Sequence, residues 1–489
     1  MLFDDGRILF VDQSNIESMS GVRLTLNPPE KRGVCLRIER EWEMERARPS
    51  CIVEWRGEYR FYYRVTLPGG IVALAFAVST DGVDWTRPDL GAVSFAGSKS
   101  NNLCDVGEQR PGEHCVFVDP TGPDEHRFKL VANSGNREGM ILMTSPDGIR
   151  FTRADAVLLR FFTDNHMTAF YDRRIGRYRI YTRGWDRSRK LPVMGAARSV
   201  VLAEVDTLFE SVPFDANAPD PWPSEEPQMS ADGKVIPHLR KINRELPTAM
   251  RCDEMDPPET DLYQSATVQY LPDLYLSFPS IYFSHPWPPE GFVNDGLHDL
   301  QFASSRDGLF WQRNIREPYV RLDPPGGMST KTLHMLVGMV PNGDRLSHYY
   351  LGSTHSHGEG RLTVQMNVDR TVSVGDPLAH RLEQRMDGFV SADSEYSGGM
   401  LTTRPFVARS TGIKINVDTS ASGVAYAALV DEFGREIPGF SMEQSDRIQG
   451  NDTQYPLSWA KRGDTSALIG KNVRLVIKSR GTKLFAVYP

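Results

Sequence analysis

The feature that most constrains this chain is a phrase it uses three times: AVSTDGVDW at 77–85, MTSPDGIRF at 143–151 and ASSRDGLFW at 303–311. Each copy follows a strand-forming run and ends on an aromatic side chain. Within Ser-x-Asp-Gly the Asp can bond nearby backbone amides and the Gly can take a positive φ, so the phrase predicts a tight turn beside strands. A degenerate copy, LAEVDTLFE at 202–210, keeps Asp206 and Phe209. Successive copies start roughly 66, 59 and 101 residues apart, near one four-stranded unit apiece plus one insertion.

Between the turns lie runs rich in β-branched and aromatic residues: CIVEW and YRFYYRV, CVFVD and RFKLVA, TAFYD and RYRIYTR, SATVQY and LYLSFPSIYF. They are bounded by Gly, Pro or Asp, as strands are. A fifth unit is legible in HMLVGMVPNGDRLSHYYLGST and RLTVQMNV. The insertion spans 213–258 and carries nine prolines, which removes it from any central strand; a short helix over Lys241–Met250 is an option within it. After RMDGFVSA the pattern changes to cleaner alternation, as in GIKINVDTS and NVRLVIKS, which suits an antiparallel sandwich. The expected fold class is all-β: a five-bladed β-propeller over residues 1–386, its last blade completed by the N-terminal strand, and a β-sandwich over 387–489.

A formal net charge of −7 and a pI near 5.9 come with no long basic stripe, so nucleic acid is not an expected partner. The start, MLFDDGRILFVDQSN, has acidic residues where a secretory signal carries positive charge and too short an apolar run to span a membrane. A cytoplasmic location without membrane attachment is the expectation. The five cysteines form no CxxC spacing, which predicts reduced packing residues rather than disulfides or a zinc site.

Several phrases together resemble a known superfamily: the SxDGxxW turns, FVD followed by PPEKR and by REWE at 40–43, DNHMTAFYDRRIGRYRIYTRGWD at 164–186, and DGFVSADSEYSGGMLTTRPF at 387–406. They are similar to the five-bladed propeller glycosidases that include invertases, levanases and arabinanases, and their order resembles that of bacterial glycosidase-like proteins over nearly the whole chain. The resemblance implies a propeller whose channel cleaves glycosidic bonds with paired carboxylates. It transfers no catalytic residue, because the WMNDPNG-like, RDP and EC motifs of invertase-type enzymes do not stand here in that form.

Glycoside cleavage uses two carboxyl groups flanking the bond, and in such a propeller polar residues entering the first strand of each blade project into one pocket. The entry residues are Trp42, Glu43, Glu45, Arg46 and Arg48, then Glu113 and His114, then Asp164 and His166, then Glu259, Asp261 and Tyr263, then Lys331 and His334. Asp164, Glu43 and Asp261 are the candidate catalytic carboxylates. Asp164 follows an aromatic pair and shares its side of a strand with His166, whereas a turn role is its plain alternative. Glu43 sits beside Trp42, an aromatic platform for a sugar, or else in a surface ion pair; Asp261 follows the insertion, where burial would raise its pKa, or else caps a loop. Trp42, Arg46, Arg48, Glu113, His114, His166, Arg183, Tyr263, Lys331 and His334 are candidate substrate-binding residues.

Asp119 and Asp172 stand at strand exits and read as structural, as do the turn aspartates. Asp295 and Asp299 flank His298 in a stretch that reads as a substrate-side loop or a solvated one. His355 and His357 could pair on a metal but lack a third ligand, so no metal or other cofactor is expected. The leading expectation is a glycoside hydrolase for a terminal sugar. The alternatives are a glycosyl transferase or phosphorylase on the same site, or a non-catalytic carbohydrate-binding propeller.

Overall fold

The computed structural model describes residues 1–135, 138–160, 163, 167–186, 188–189, 197–213, 246–285, 295–359 and 373–489. They divide into two compact units, one holding Lys31–Asn342 and Ser347–Leu382, the other Leu2–Glu30, Gly343–Leu346 and Glu383–Pro489.

The first unit contains, among the described residues, five antiparallel sheets in chain order. The first sheet is Arg46–Trp55, Glu58–Leu67, Ile71–Ser79 and Leu103–Cys104; the second is His114–Val118, Phe128–Asn133, Met140–Ser145 and Thr152–Leu159. The third runs Thr168–Asp172, Arg177–Asp186, Ala197–Val205 and Thr248–Met250, and the fourth Thr260–Leu271, Leu274–Ser284, Gly296–Leu300 and Ala303–Ser305. In the fifth, Thr332–Met335, Arg345–Ser353 and Pro377–Arg385 are joined by Glu30–Arg37 from far upstream, with Val340–Asn342 on the side. The strands read as continuous apolar runs because both faces are covered. Phe61, Tyr62 and Tyr63 are consecutive and all fully buried.

The first strands of these sheets are hydrogen-bonded to one another in sequence. Val116 N–H donates to Cys51 Sγ at 3.2 Å and Ala169 N–H to Cys115 Sγ at 3.5 Å, linking sheets one to two and two to three. Thr168 Oγ1 accepts from Thr267 N–H at 3.2 Å, and Gln264 Nε2 donates to Met335 O at 3.4 Å, linking three to four and four to five. Ile52 N–H donates to Val337 O at 2.8 Å and Val337 N–H to Ser50 O at 3.1 Å, which returns the series to the first sheet. All five cysteines are free.

The repeated turns supply a second set of links between sheets. In each, one aspartate oxygen accepts two backbone amides, as Asp147 Oδ1 does from Ile149 at 2.8 Å and Arg150 at 3.1 Å. The glycine carbonyl then accepts a tyrosine hydroxyl from the sheet before: Gly148 O from Tyr62 at 2.9 Å, Gly308 O from Tyr181 at 2.8 Å, Gly82 O from Tyr349 at 2.5 Å. Asp119 and Asp172 bridge sheets at the strand exits. Asp119 accepts from Lys129 Nζ at 2.5 Å and Tyr178 Oη at 2.6 Å, and Asp172 from Tyr275 Oη at 2.6 Å beside the Arg179 guanidinium at 3.0 Å.

The second unit holds two antiparallel sheets. One orders Val22–Leu26, Val390–Ser394, Thr482–Tyr488, Lys414–Asp418 and Asn451–Pro456, with Ile8–Leu9 added beside Thr482–Tyr488. The other orders Ile16–Ser20, Gly399–Thr403, Asn472–Arg480 and Phe406–Val407, with Val424–Asp431 also on Asn472–Arg480. Ile413, Ile415, Val417, Leu475, Ile477 and Trp459 belong to their shared core.

Two expectations need correction. Residues 1–386 do not form one domain, since Ile8–Leu9, Ile16–Ser20 and Val22–Leu26 pair with strands of the second unit; their short alternation reads equally well as either kind of sheet. The insertion ends earlier than 258, because Thr248–Met250 pairs as an edge strand with Ala197–Val205 in place of a helix; residues 214–245 lie outside the described ones. Among the described residues no helix is long and apolar enough to cross a membrane.

Gly148 has φ +73° and an added Cβ would meet Tyr62 Oη at 2.5 Å, while Gly57 has φ +80° with nothing within 4 Å. Gly148→Ala should therefore cost about 2–3 kcal/mol or more and Gly57→Ala about 1 kcal/mol, measured by urea unfolding. Burial opposes the charge on Asp119, but the bonds from Lys129 and Tyr178 outweigh it and hold its carboxyl down at about 2. A depressed folded pKa gives stability that is present above the unfolded value of about 4 and lost as pH falls toward 2. Asp119→Asn should flatten the decline of melting temperature between those two pH values.

Candidate functional site

The starts of the first strands, the ends of the second and the starts of the third lie on one side of each sheet, because neighbouring strands run antiparallel. At this end of sheets one and two, Arg48 pairs across the ladder with Arg64, and both guanidiniums approach Glu113 Oε1, at 3.4 and 3.5 Å. Burial lowers the pKa of Arg64, with Glu113 opposing it. Glu113 is 17% exposed, within reach of a ligand. Arg46 stands exposed at the start of the same strand as Arg48.

At the same end of sheets three to five a second group surrounds Tyr263. Arg183 Nη2 donates to Tyr263 O at 2.5 Å, and its guanidinium lies 4.9 Å from the ring centroid. The Arg198 guanidinium lies 5.0 Å from the Tyr263 ring and 4.8 Å from that of Tyr282. Tyr263 Oη is 3.1 Å from His357 Nε2, and its ring centroid is 4.5 Å from that of His298 and 5.5 Å from that of His334. A small cleft beside Tyr263 is lined by Thr182, Arg183, Ser199, Gln264 and Ser265. Lys331, next to this group in sequence, donates to both oxygens of Glu359 at 2.7 Å.

The candidate carboxylates are not gathered as expected. Glu43 is fully buried: Oε1 accepts from Tyr63 Oη and Arg87 Nε, each at 2.7 Å, and Oε2 from the amides of Glu39 at 2.9 Å and Arg40 at 3.1 Å. With its lone pairs committed to fold contacts it has none for a sugar, so the catalytic assignment is withdrawn. Trp42 follows it inward, donating to Asn102 Oδ1 at 2.9 Å and packing edge-on against Phe95, so it offers no open platform. His114 is likewise internal. Its Nε2 is 2.8 Å from Ser50 Oγ, and burial pushes its pKa down to about 4.

Asp261 is fully buried, and its Oδ2 accepts the backbone amide and Nη1 of Arg198 at 3.1 and 2.8 Å. That ion pair makes it a holder of Arg198 between two tyrosines rather than a general acid. Asp164 and His166 lie outside the described residues. Asp299 beside His298 has its carboxyl pushed up to about 6 by burial. Asp295 accepts Gly358 N–H at 2.7 Å and sits 3.1 Å from His285 Nδ1. Among the described residues no three His, Cys, Asp or Glu are arranged to hold a metal ion.

Arg64, Arg198 and Tyr282 escaped sequence reasoning. They are on second and third strands, and only the register places them beside first-strand starts. His298 and His357 were visible, but as members of a loop and of a metal pair.

No protein-family model and no curated protein matches this chain. Among solved structures it is similar to a GH32 β-fructofuranosidase of Bombyx mori, at 10% identity over 95% of this chain and 94% of that one, TM-score 0.38. A glycosyl hydrolase of Bacteroides ovatus shares 14% identity over 72% and 97%, TM-score 0.40. A structure from work on the GH130 family of mannoside phosphorylases shares 12% over 76% and 96%, TM-score 0.43.

Arg87 is 3% exposed and pairs with Glu43 at 2.7 Å. Glu43→Gln should cost about 3 kcal/mol in urea unfolding, because it takes the buried counter-charge from a buried guanidinium and leaves it only the exposed Glu39, 2.9 Å away. Ligand affinity of the folded fraction should stay unchanged.

Proposed function

We propose that the five sheets are the blades of a β-propeller, that the second unit is a β-sandwich, and that the chain is a glycoside hydrolase acting on a terminal sugar. One observation carries this reading. Polar groups from consecutive sheets meet at one end of the strands: Arg48 of the first with Glu113 of the second, Arg183 of the third with Tyr263 of the fourth, and Tyr263 with His334 of the fifth. A pocket built that way surrounds one sugar with donors and aromatic faces, as carbohydrate sites require.

Hydrolysis then needs an acid to protonate the leaving oxygen and a carboxylate to act as nucleophile or to activate water. Glu113, partly exposed between two arginines, is assigned as the ionised carboxylate. Asp164, assigned on sequence alone from the third blade's entry, is its partner. Arg48, Arg183, Tyr263 and His334 position the sugar. A non-catalytic sugar-binding role is the second reading, favoured by the commitment of Asp261 and Glu359 to Arg198 and Lys331.

The test is sugar release from a panel of aryl glycosides and oligosaccharides by wild type, Glu113→Gln and Asp164→Asn, with melting temperatures alongside. Each variant should lose about 10²- to 10⁴-fold in turnover and stay folded. Wild-type turnover in both variants would contradict the assignment. Sugar binding without cleavage by any form would favour the second reading.

A further inference from the structure

Beneath Tyr263 lies a side chain that the proposed hydrolysis does not use. His298 is 1% exposed, and among the described residues neither ring nitrogen has a hydrogen-bond partner. Buried polar atoms are almost always satisfied, so a pair left open on one imidazole points to an occupant. The ring is walled by Tyr263, by Tyr282 and His334 with centroids 4.9 Å away, and by His357 at 5.9 Å. Tyr263, His334 and His357 are only half-buried, and Tyr263 also lines the small cleft beside Arg183.

The charges that act most on it are positive. Burial and then His334, His357, Arg198 and Arg183 all disfavour protonation of His298. The nearby carboxylates answer other groups: Asp261 holds Arg198, Asp295 takes the Gly358 amide and faces His285, and Glu359 holds Lys331. A neutral hydroxyl would satisfy one nitrogen and bring no charge to the group. An anion would satisfy both needs, and it would favour a second proton on the imidazole.

We propose that this histidine–tyrosine box is an oxyanion site, with His298, Arg183 and Arg198 as donors, whose ligand is a sugar carboxylate or a free phosphate. It rests on the carbohydrate reading above only for the sugar. A sugar carboxylate makes the substrate class acidic, whereas a free phosphate makes it the second reactant.

Calorimetric titration of the full chain with D-glucuronate, D-glucose and inorganic phosphate tests this, with His298→Gln in parallel. At least one of the two anions should bind tenfold or more tightly than glucose, and lose about ten- to a hundredfold in His298→Gln. Glucuronate the tighter anion identifies a sugar carboxylate; phosphate the tighter identifies the free ion. Equal binding of all three, no binding of any, or anion binding unaltered by a folded His298→Gln would overturn the proposal. Should that variant not fold, the imidazole 15N signal of His298 in wild type must move on anion addition, and a static signal overturns it. Cleavage of neutral glycosides without anion preference would remove this inference and keep the hydrolase. Anion binding without cleavage of any glycoside would do the reverse.

Discussion

The first unit depends on one contact made three times: a tyrosine hydroxyl in the second strand of one sheet donates to the glycine carbonyl of the next sheet's Ser-x-Asp-Gly turn. An antiparallel sheet of four short strands does not hold its place beside another by ladder hydrogen bonds, since those run within sheets. Tyr62–Gly148, Tyr181–Gly308 and Tyr349–Gly82 supply directional bonds between sheets. The aspartate fixes the turn so that the carbonyl points outward, and only glycine keeps the hydroxyl's approach clear. A repeat that looks like a local turn signal is therefore also a tertiary link.

The bonds among the first strands complete what the turns begin. Thiols, a hydroxyl and one amide side chain carry four of the five links between neighbouring sheets, and backbone bonds carry the fifth. Cys51, Cys115 and Thr168 each accept an amide from the following sheet, and the Ile52–Val337 pair closes the series. Once the first strands are held side by side, their starts meet. That is why residues as distant in sequence as Arg48 and Glu113, or Tyr263 and His357, share a site, and why buried ion pairs such as Glu43–Arg87 and Asp261–Arg198 are spent on holding the frame around it.

The sequence revealed the sheets better than the site. Turn phrases and apolar runs marked five strand groups and the change of pattern near Asp387, because both signals are local. The entry of residues 2–30 into the second unit was illegible, since pairing with strands hundreds of residues away leaves no local trace. At the site, strand entry singled out Arg48, Glu113, Tyr263 and His334, which the antiparallel order of the strands places at one end of their sheets. It failed for Glu43 and Asp261, where a carboxylate at an entry turned inward to an arginine. Sequence shows a charge but not its partner, and Arg87 and Arg198 stand 44 and 63 residues away.

The central claim is that the first strands form a closed, mutually bonded set. Native-state hydrogen exchange at the amides of Ile52, Val116, Ala169 and Val337 tests it directly, because each donates across a sheet boundary. The account predicts that all four exchange only through global unfolding, with opening free energies equal to the chain's own unfolding free energy for this unit. Exchange of any of them as fast as an exposed turn amide, with the sheets otherwise protected, would contradict it.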